Sequence, residues 1–166
     1  MPFKLGDRDI SSDIAGIGSV LIVPCRFCPA ATLAARESKP YLKPWRHLLR
    51  TPSYESYIQA LKSRLESEGI RTGVFDSKLP HQFVACMWTS GQRNALAKRA
   101  TRYDAAIVLG CDAAVTTVRS CLPAGYRVVP GMEVQGIMSV IPRVHFPFDI
   151  SLEVAGVARA LEPPGR

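Results

Sequence analysis

Two short runs constrain this chain more than anything else in it: SVLIVP at residues 19–24 and AAIVLG at residues 105–110. Each is a continuous apolar stretch, so neither face of either strand can be turned to water. Strands buried on both faces belong to parallel sheets covered by helices. The segments around them alternate in the same sense. TPSYESYIQALKSRLESEGI (51–70) reads as a helix, with Thr51 as N-cap and Pro52 at the first helical position, where a missing N–H is harmless. Tyr54, Tyr57, Ile58, Leu61 and Leu65 fall on one stripe at spacings of three and four, and Gly69 suits the left-handed residue that ends a helix.

Further along, RTGVFD (71–76) reads as a strand, SGQRNALAKRATRYD (90–104) as a helix with Ser90 as N-cap, DAAVTTVRSCL (112–122) as a helix stopped by Pro123, and YRVVPG (126–131) as a strand. AATLAARES after residue 29 is short and helix-prone, and HQFVAC (81–86) is ambiguous. Residues 1–13 look like a loose arm, and SVIPRVHFPFDISLEVAGVARALE at the end mixes Pro-broken extended segments with a terminal helix. Strands alternating with helices imply right-handed crossover units. The expectation is one domain over residues 1–166: an α/β fold with a mostly parallel sheet and helices on both faces, three-layered and flavodoxin- or Rossmann-like. Residues 19–135 form its core and 136–166 an extension.

The chain carries 21 Lys and Arg against 14 Asp and Glu, a formal charge of +7. The basic residues are scattered, with LKPWRHLLR (42–50) and KRATR (98–102) the only dense stretches, and no nucleic-acid motif accompanies them. No apolar run approaches the roughly 20 residues that span a bilayer. The polar, acidic first residues resemble neither a secretory signal nor a transit peptide, so a cytoplasmic location is expected, where stable disulfides are rare. GIGSV (16–20) precedes a strand instead of following one, which fails the context of a dinucleotide fingerprint.

The five cysteines carry the chemistry. In an open α/β sheet, ligands bind beyond the carboxyl ends of the strands. Cys25 and Cys28 follow the strand at 19–24, Cys111 follows the strand at 105–110, and Cys86 follows a short apolar run ahead of a helix. In a parallel sheet these thiols share one rim. Four thiolates suit a structural Zn²⁺ or an iron–sulfur cluster. A Cys-x-x-Cys pair also suits a redox dithiol, although Pro29 after the second cysteine departs from that pattern, and buried packing is the third reading. Cys121 lies inside a helix and reads as a packed thiol. His47 and His81 are further ligand candidates. Asp112 and Glu133 are candidate proton carriers at the same rim, each with a plainer role as helix N-cap or surface charge.

YDAAIVLGCDAAVTTVRSCLPAGYRVVPGMEV (103–134) resembles the C-terminal-domain family of methylenetetrahydrofolate reductase, whose members show a strand ending Leu-Gly-Cys-Gly followed by Ala-Gly-Val-Gln-Thr-Val and a later strand ending Val-Pro. The matching residues here are Leu109 to Val118, then Val129, Pro130, Gly131 and Met132. Asp112 stands where the family has glycine, and the family's later cysteine-rich segment is replaced by HFPFDISLE. The resemblance implies one metal site on Cys25, Cys28, Cys86 and Cys111, holding a [4Fe–4S] cluster or alternatively Zn²⁺. It implies a small accessory subunit of a folate-linked one-carbon reductase or methyltransferase, with an electron-transfer or scaffold role and a larger flavin- or folate-dependent enzyme as partner. The alternatives are a structural zinc adaptor that docks a larger enzyme, and a thiol-based enzyme acting at the Cys25/Cys28 rim. Trp45, beside Arg46 and His47, is the expected docking anchor.

Overall fold

A computed structural model describes residues 1–42, 51–76, 84–146 and 149–159. Trp45, Arg46, His47 and His81 lie outside the described residues. Seven strands and four helices are present among the described residues: β1 (Phe3–Asp7), β2 (Ser19–Pro24), α1 (Cys28–Arg36), α2 (Pro52–Ser67), β3 (Arg71–Val74), α3 (Ser90–Ala100), β4 (Ala105–Leu109), α4 (Asp112–Cys121), β5 (Arg127–Pro130), β6 (Met132–His145) and β7 (Asp149–Ala158). A short 3₁₀ turn, Ala85–Met87, precedes α3.

The expected parallel strands form a four-stranded parallel sheet in the order β3-β2-β4-β5. Every residue of β2 and of β4 is buried, as continuous apolar runs require. β2 and β4 run side by side from Val20 opposite Ala105 to Pro24 opposite Leu109, and the Cys25 N–H extends the ladder by donating to the Leu109 carbonyl at 2.8 Å. The chain leaves β2 for β3 on one side, then crosses back to place β4 on the other. The topological switch point therefore lies between β2 and β4, where the carboxyl-end crevice opens.

The three-layer flavodoxin- or Rossmann-like expectation is overturned by a second sheet. β1, β6 and β7 form a three-stranded antiparallel sheet in the order β1-β6-β7. The first residues supply its edge strand: Phe3 lies opposite Ile137 and Asp7 opposite Met132. No local pattern marks a five-residue strand whose partner lies some 130 positions away. The last stretch forms a long hairpin, with Val144 opposite Ile150 and Ile137 opposite Ala158, and no helix among its described residues. Pro142 is tolerated within β6, and Gly136 adopts a positive φ of 153° where β6 lies against the Ala158 carbonyl.

α1 joins the two sheets. It packs on β1, on β7 and on α2, and its residues Cys28 to Ala34 are buried nearly all round. Thr32 Oγ1 donates to the Phe3 carbonyl and accepts the Leu5 N–H, both at 3.1 Å, so one buried hydroxyl satisfies two backbone groups of β1. α2 starts at Pro52 as expected, but Thr51 Oγ1 donates to the Tyr41 carbonyl at 2.8 Å instead of capping its own helix. Gly69 takes the expected left-handed conformation, φ 83°. The cap of α3 is Thr89, one residue before the expected Ser90, in a reciprocal box with Gln92.

Gly110 sits where the switch point is tightest. A Cβ there would lie 2.7 Å from the Ala114 Cβ and 3.1 Å from the Cys25 Cβ. Gly110→Ala forces β2 and α4 apart and should cost about 1–3 kcal/mol, as overpacking does. Urea denaturation of the two proteins checks this; an unchanged midpoint would show that the crevice has room to spare.

Candidate functional site at the parallel-sheet rim

The chain turns sharply after β2 and after β4, and both turns deliver cysteines to the switch point. Cys25 follows Pro24 directly. Cys28 opens α1 with Pro29 in the first turn, where its missing N–H is harmless, so the objection that Pro29 raised to a dithiol falls away. Cys111 is the N-cap residue of α4, and Asp112 is the exposed first residue of that helix instead of its cap. Cys25, Cys28 and Cys111 are all buried.

The Cys28 thiol hydrogen-bonds to the Cys111 sulfur, and this pairing polarises both. Cys111 is drawn down to about 6 by the bond from Cys28, against the opposing effect of burial, with further help from the backbone N–H groups of Ala114 and Ala113 at the start of α4. Cys28 is pushed up, first because its proton is held against Cys111 and then by burial. Within the pair Cys111 is the more acidic thiol and Cys28 the less acidic one. Cys25 is also raised, by burial, although the N–H groups of Ala85 and Phe27 point at its sulfur and partly offset that effect. Cys86 sits in the exposed 3₁₀ turn, close enough to Cys25 for its charge to be felt there.

Several residues around the thiols carry no sequence signal for this role. The Phe3 N–H from β1 points at the Cys28 sulfur, so the first strand of the second sheet closes one wall of the site. Tyr41 is pushed up to about 12 by burial and by its nearness to Cys28 and Cys25. Tyr54 is completely buried, its hydroxyl donating to the Leu109 carbonyl at 3.2 Å, and burial holds it protonated. Arg26, between the two cysteines of the motif, forms an ion pair with Glu55 of α2 and a second, at 3.6 Å, with Asp76 after β3. This pins the Cys25–Cys28 turn to both neighbours. An arginine between two cysteines is visible in the sequence, but its carboxylate partners come from separate elements.

Among the described residues, no three His, Cys, Asp or Glu side chains are arranged to hold a metal ion. The Cys28 thiol is turned to donate to Cys111, and Cys86 faces solvent. Sulfur is a soft donor that suits Zn²⁺ or iron, but the cysteines would have to re-orient before three of them could ligate one ion. Ligation would exchange the Cys28–Cys111 hydrogen bond for bonds to the metal and release the Cys28 and Cys25 protons. Cys121 is half-buried inside α4, its thiol donating to the Thr117 carbonyl at 3.0 Å, consistent with a packed role. Glu133 is exposed on β6 opposite Gly6, in the antiparallel sheet.

The described residues include no helix long and apolar enough to cross a membrane. No family model, no curated protein and no solved structure matches the chain.

The Cys28–Cys111 pairing makes a measurable claim about pH. Thiolate absorbance in the ultraviolet should rise as pH climbs through about 6, because Cys111 loses its proton there. In Cys28→Ala the donor is gone and that midpoint should move up toward the ordinary thiol value near 8.5. A first thiolate appearing only near that value in the unaltered protein would show that the pair does not share its proton as described.

Proposed function

We propose that Cys25, Cys28, Cys86 and Cys111 bind one metal centre, a [4Fe–4S] cluster in the first instance, in a small accessory subunit of a folate-linked one-carbon reductase or methyltransferase system. The observation that supports this most is the gathering of three buried cysteines at the β2/β4 switch point, with Cys86 at their solvent side. A cluster held there would take up and return one electron at a time. The chain's own residues would supply the setting. The N–H groups of Phe3, Ala85, Ala113 and Ala114 point at the sulfurs and stabilise negative charge on them. Tyr41, Tyr54 and the apolar ends of β2 and β4 limit water. Arg26, held by Glu55 and Asp76, keeps the Cys25–Cys28 turn in place.

The proposed partner is a larger flavin- or folate-dependent enzyme with an acidic surface, approached by the +7 chain. Neither Zn²⁺ in place of the cluster nor a scaffold in place of an electron carrier would change the ligand set.

The acidity of Cys111 favours one second reading, a thiol–disulfide enzyme. Cys111 would attack a substrate disulfide and release one substrate thiolate. Cys28 would then displace the other substrate sulfur, leaving a Cys28–Cys111 disulfide and a reduced substrate dithiol. This reading pairs Cys28 with Cys111, whereas the motif by itself suggests Cys25 with Cys28.

Protein purified without oxygen and assayed for iron, sulfide and zinc separates these readings. The cluster reading expects a brown protein with iron and sulfide in equal amounts. Each of Cys25→Ser, Cys28→Ser, Cys86→Ser and Cys111→Ser should lower metal content several-fold, and Cys121→Ser should leave it unchanged. Colourless protein with one zinc selects the zinc alternative. Metal-free protein that reduces a disulfide substrate, and loses this on Cys111→Ser, selects the thiol enzyme.

The same purification tests the partner. A co-purifying flavin- or folate-binding protein should dissociate as ionic strength rises, because screening removes the charge attraction. An association indifferent to salt would remove the electrostatic basis for that partner.

A further inference from the structure

Ion pairs are unevenly spread over the described residues. Arg8, Arg26, Arg36, Lys39, Lys62 and Arg143 each meet a carboxylate. Residues 90–127, from α3 to the start of β5, hold Arg93, Lys98, Arg99, Arg102, Arg119 and Arg127 against Asp104 and Asp112, a net charge of +4. None of these six cations forms an ion pair among the described residues. Arg93 is used internally: its guanidinium donates to the Trp88 carbonyl at 3.1 Å and to Ser120 Oγ at 3.0 Å. The other five are exposed. Of the two acids, Asp112 stands at the far end of α4, and Asp104 accepts from Ser19 Oγ at 2.7 Å.

The fold collects the five exposed cations at one end. In a parallel sheet with crossover helices, strands begin where helices finish. Lys98, Arg99 and Arg102 close α3, Arg119 lies in the last turn of α4, and Arg127 opens β5 beside Ala105 of β4. Arg71 opens β3 at the same edge, where its guanidinium donates to the Arg102 carbonyl. Cations in the last turn of a helix offset its dipole, which accounts for Lys98, Arg99 and Arg119. Arg102 and Arg127 lie beyond any helix, so the dipole does not account for them. The thiol rim is at the opposite edge, about 17 Å away along the five residues of β4.

Between the ends of α3 and α4 and the start of β5 lies a half-open groove of about 570 Å³. Ala97, Ala100, Leu122, Pro123 and Tyr126 give it an apolar lining. The Tyr126 hydroxyl donates to the Tyr103 carbonyl at 3.0 Å, which fixes that wall. Each of the five exposed cations either lines the groove, as Lys98 does, or directly adjoins a lining residue in the sequence. An apolar depression is thus ringed by positive charge that the chain itself leaves unpaired.

We infer that this groove docks an acidic segment of another protein, with apolar side chains seated between α3 and α4 and Asp or Glu side chains on the surrounding cations. Charge complementarity selects the sign of the occupant, and the apolar lining selects its kind. A nucleic-acid backbone would meet the cations but brings no apolar group to the groove. A second copy of the chain carries +7 and is repelled. An amphipathic helix with acidic flanks satisfies both features at once. The inference goes beyond the partner reading above. It places the contact at the amino edge of the parallel sheet, remote from the cysteines, and does not depend on a flavin or folate in the partner.

Fluorescence anisotropy on the full chain, with two synthetic peptides of identical Leu and Glu content, tests this. One peptide places Leu at spacings of three and four, so that it forms an amphipathic helix, and the other disperses the Leu residues. The patterned peptide should bind in the micromolar range, about tenfold more tightly than the dispersed one. Its affinity should fall as salt rises. Lys98→Glu combined with Arg102→Glu should weaken it about tenfold, with an unchanged melting temperature because both side chains are exposed. Ala97→Lys separates groove from charge, since it adds a cation while filling the groove. Binding should weaken, whereas a purely charge-driven contact would tighten. Equal binding of the two peptides, tighter binding to Ala97→Lys, or no peptide binding at low salt would each overturn the inference. So would tighter binding of a single-stranded oligonucleotide than of the patterned peptide, which would assign the face to nucleic acid. The thiols take no part in these readings, so failure of the metal centre and failure of this groove are separately visible.

Discussion

The pairing of β2 with β4 is the constraint on which the rest of the structure depends. Two facing runs of five backbone positions, Val20 to Pro24 and Ala105 to Leu109, are buried together. Their N–H and C=O groups have no water to turn to, so they bond across the ladder. With these two strands fixed side by side and parallel, the turns that follow them emerge at one edge. Cys25 and Cys111 are neighbours for that reason, and Gly110 is required because no side chain fits between Cys25 and Ala114.

Burial of thiols at such a rim is costly to the charged form, and the site meets that cost with oriented dipoles. Cys111 is lowered most, first by its pairing with Cys28 and then by the nearby N–H groups of Ala114 and Ala113, although its side chain makes no capping bond to α4. Cys25 has fewer donors and stays protonated under the stronger effect of burial. Three sulfurs of one residue type therefore differ in acidity through their surroundings. Proton release from the two raised thiols is the step any metal would have to drive, and affinity for metal should accordingly rise with pH.

The second sheet changes what the first can be. An open parallel sheet covered by helices on both faces would leave the rim to its loops. Here β1 reaches the thiols, and its Phe3 N–H offsets part of the rise in Cys28. α1 is buried on one side by α2 and on the other by β1 and β7, and Thr32 ties it to the backbone of β1. The hairpin of β6 and β7 is thereby anchored at its base, and near its tip Ile150 exchanges backbone hydrogen bonds with Leu42.

Sequence alone determined the features that rest on local chemistry. The doubly buried strands followed from continuous apolar runs, α2 from its stripe of Tyr54, Ile58 and Leu65 with Pro52 and Gly69 at its ends, and the shared rim of Cys25, Cys28 and Cys111 from their positions after strand ends. Tertiary structure decided what depends on partners distant along the chain. β1 is a strand only because β6 lies beside it, since five residues cannot hold an extended conformation without a neighbour's hydrogen bonds. The final hairpin was hidden because Pro142 interrupts its pattern and its apolar face is half uncovered, so alternation gave no clear signal. The choice of Cys28 over Cys25 as the partner of Cys111 was equally out of reach. It turns on which sulfur meets the first turn of α4, and that depends on how α1 packs against α2, β1 and β7.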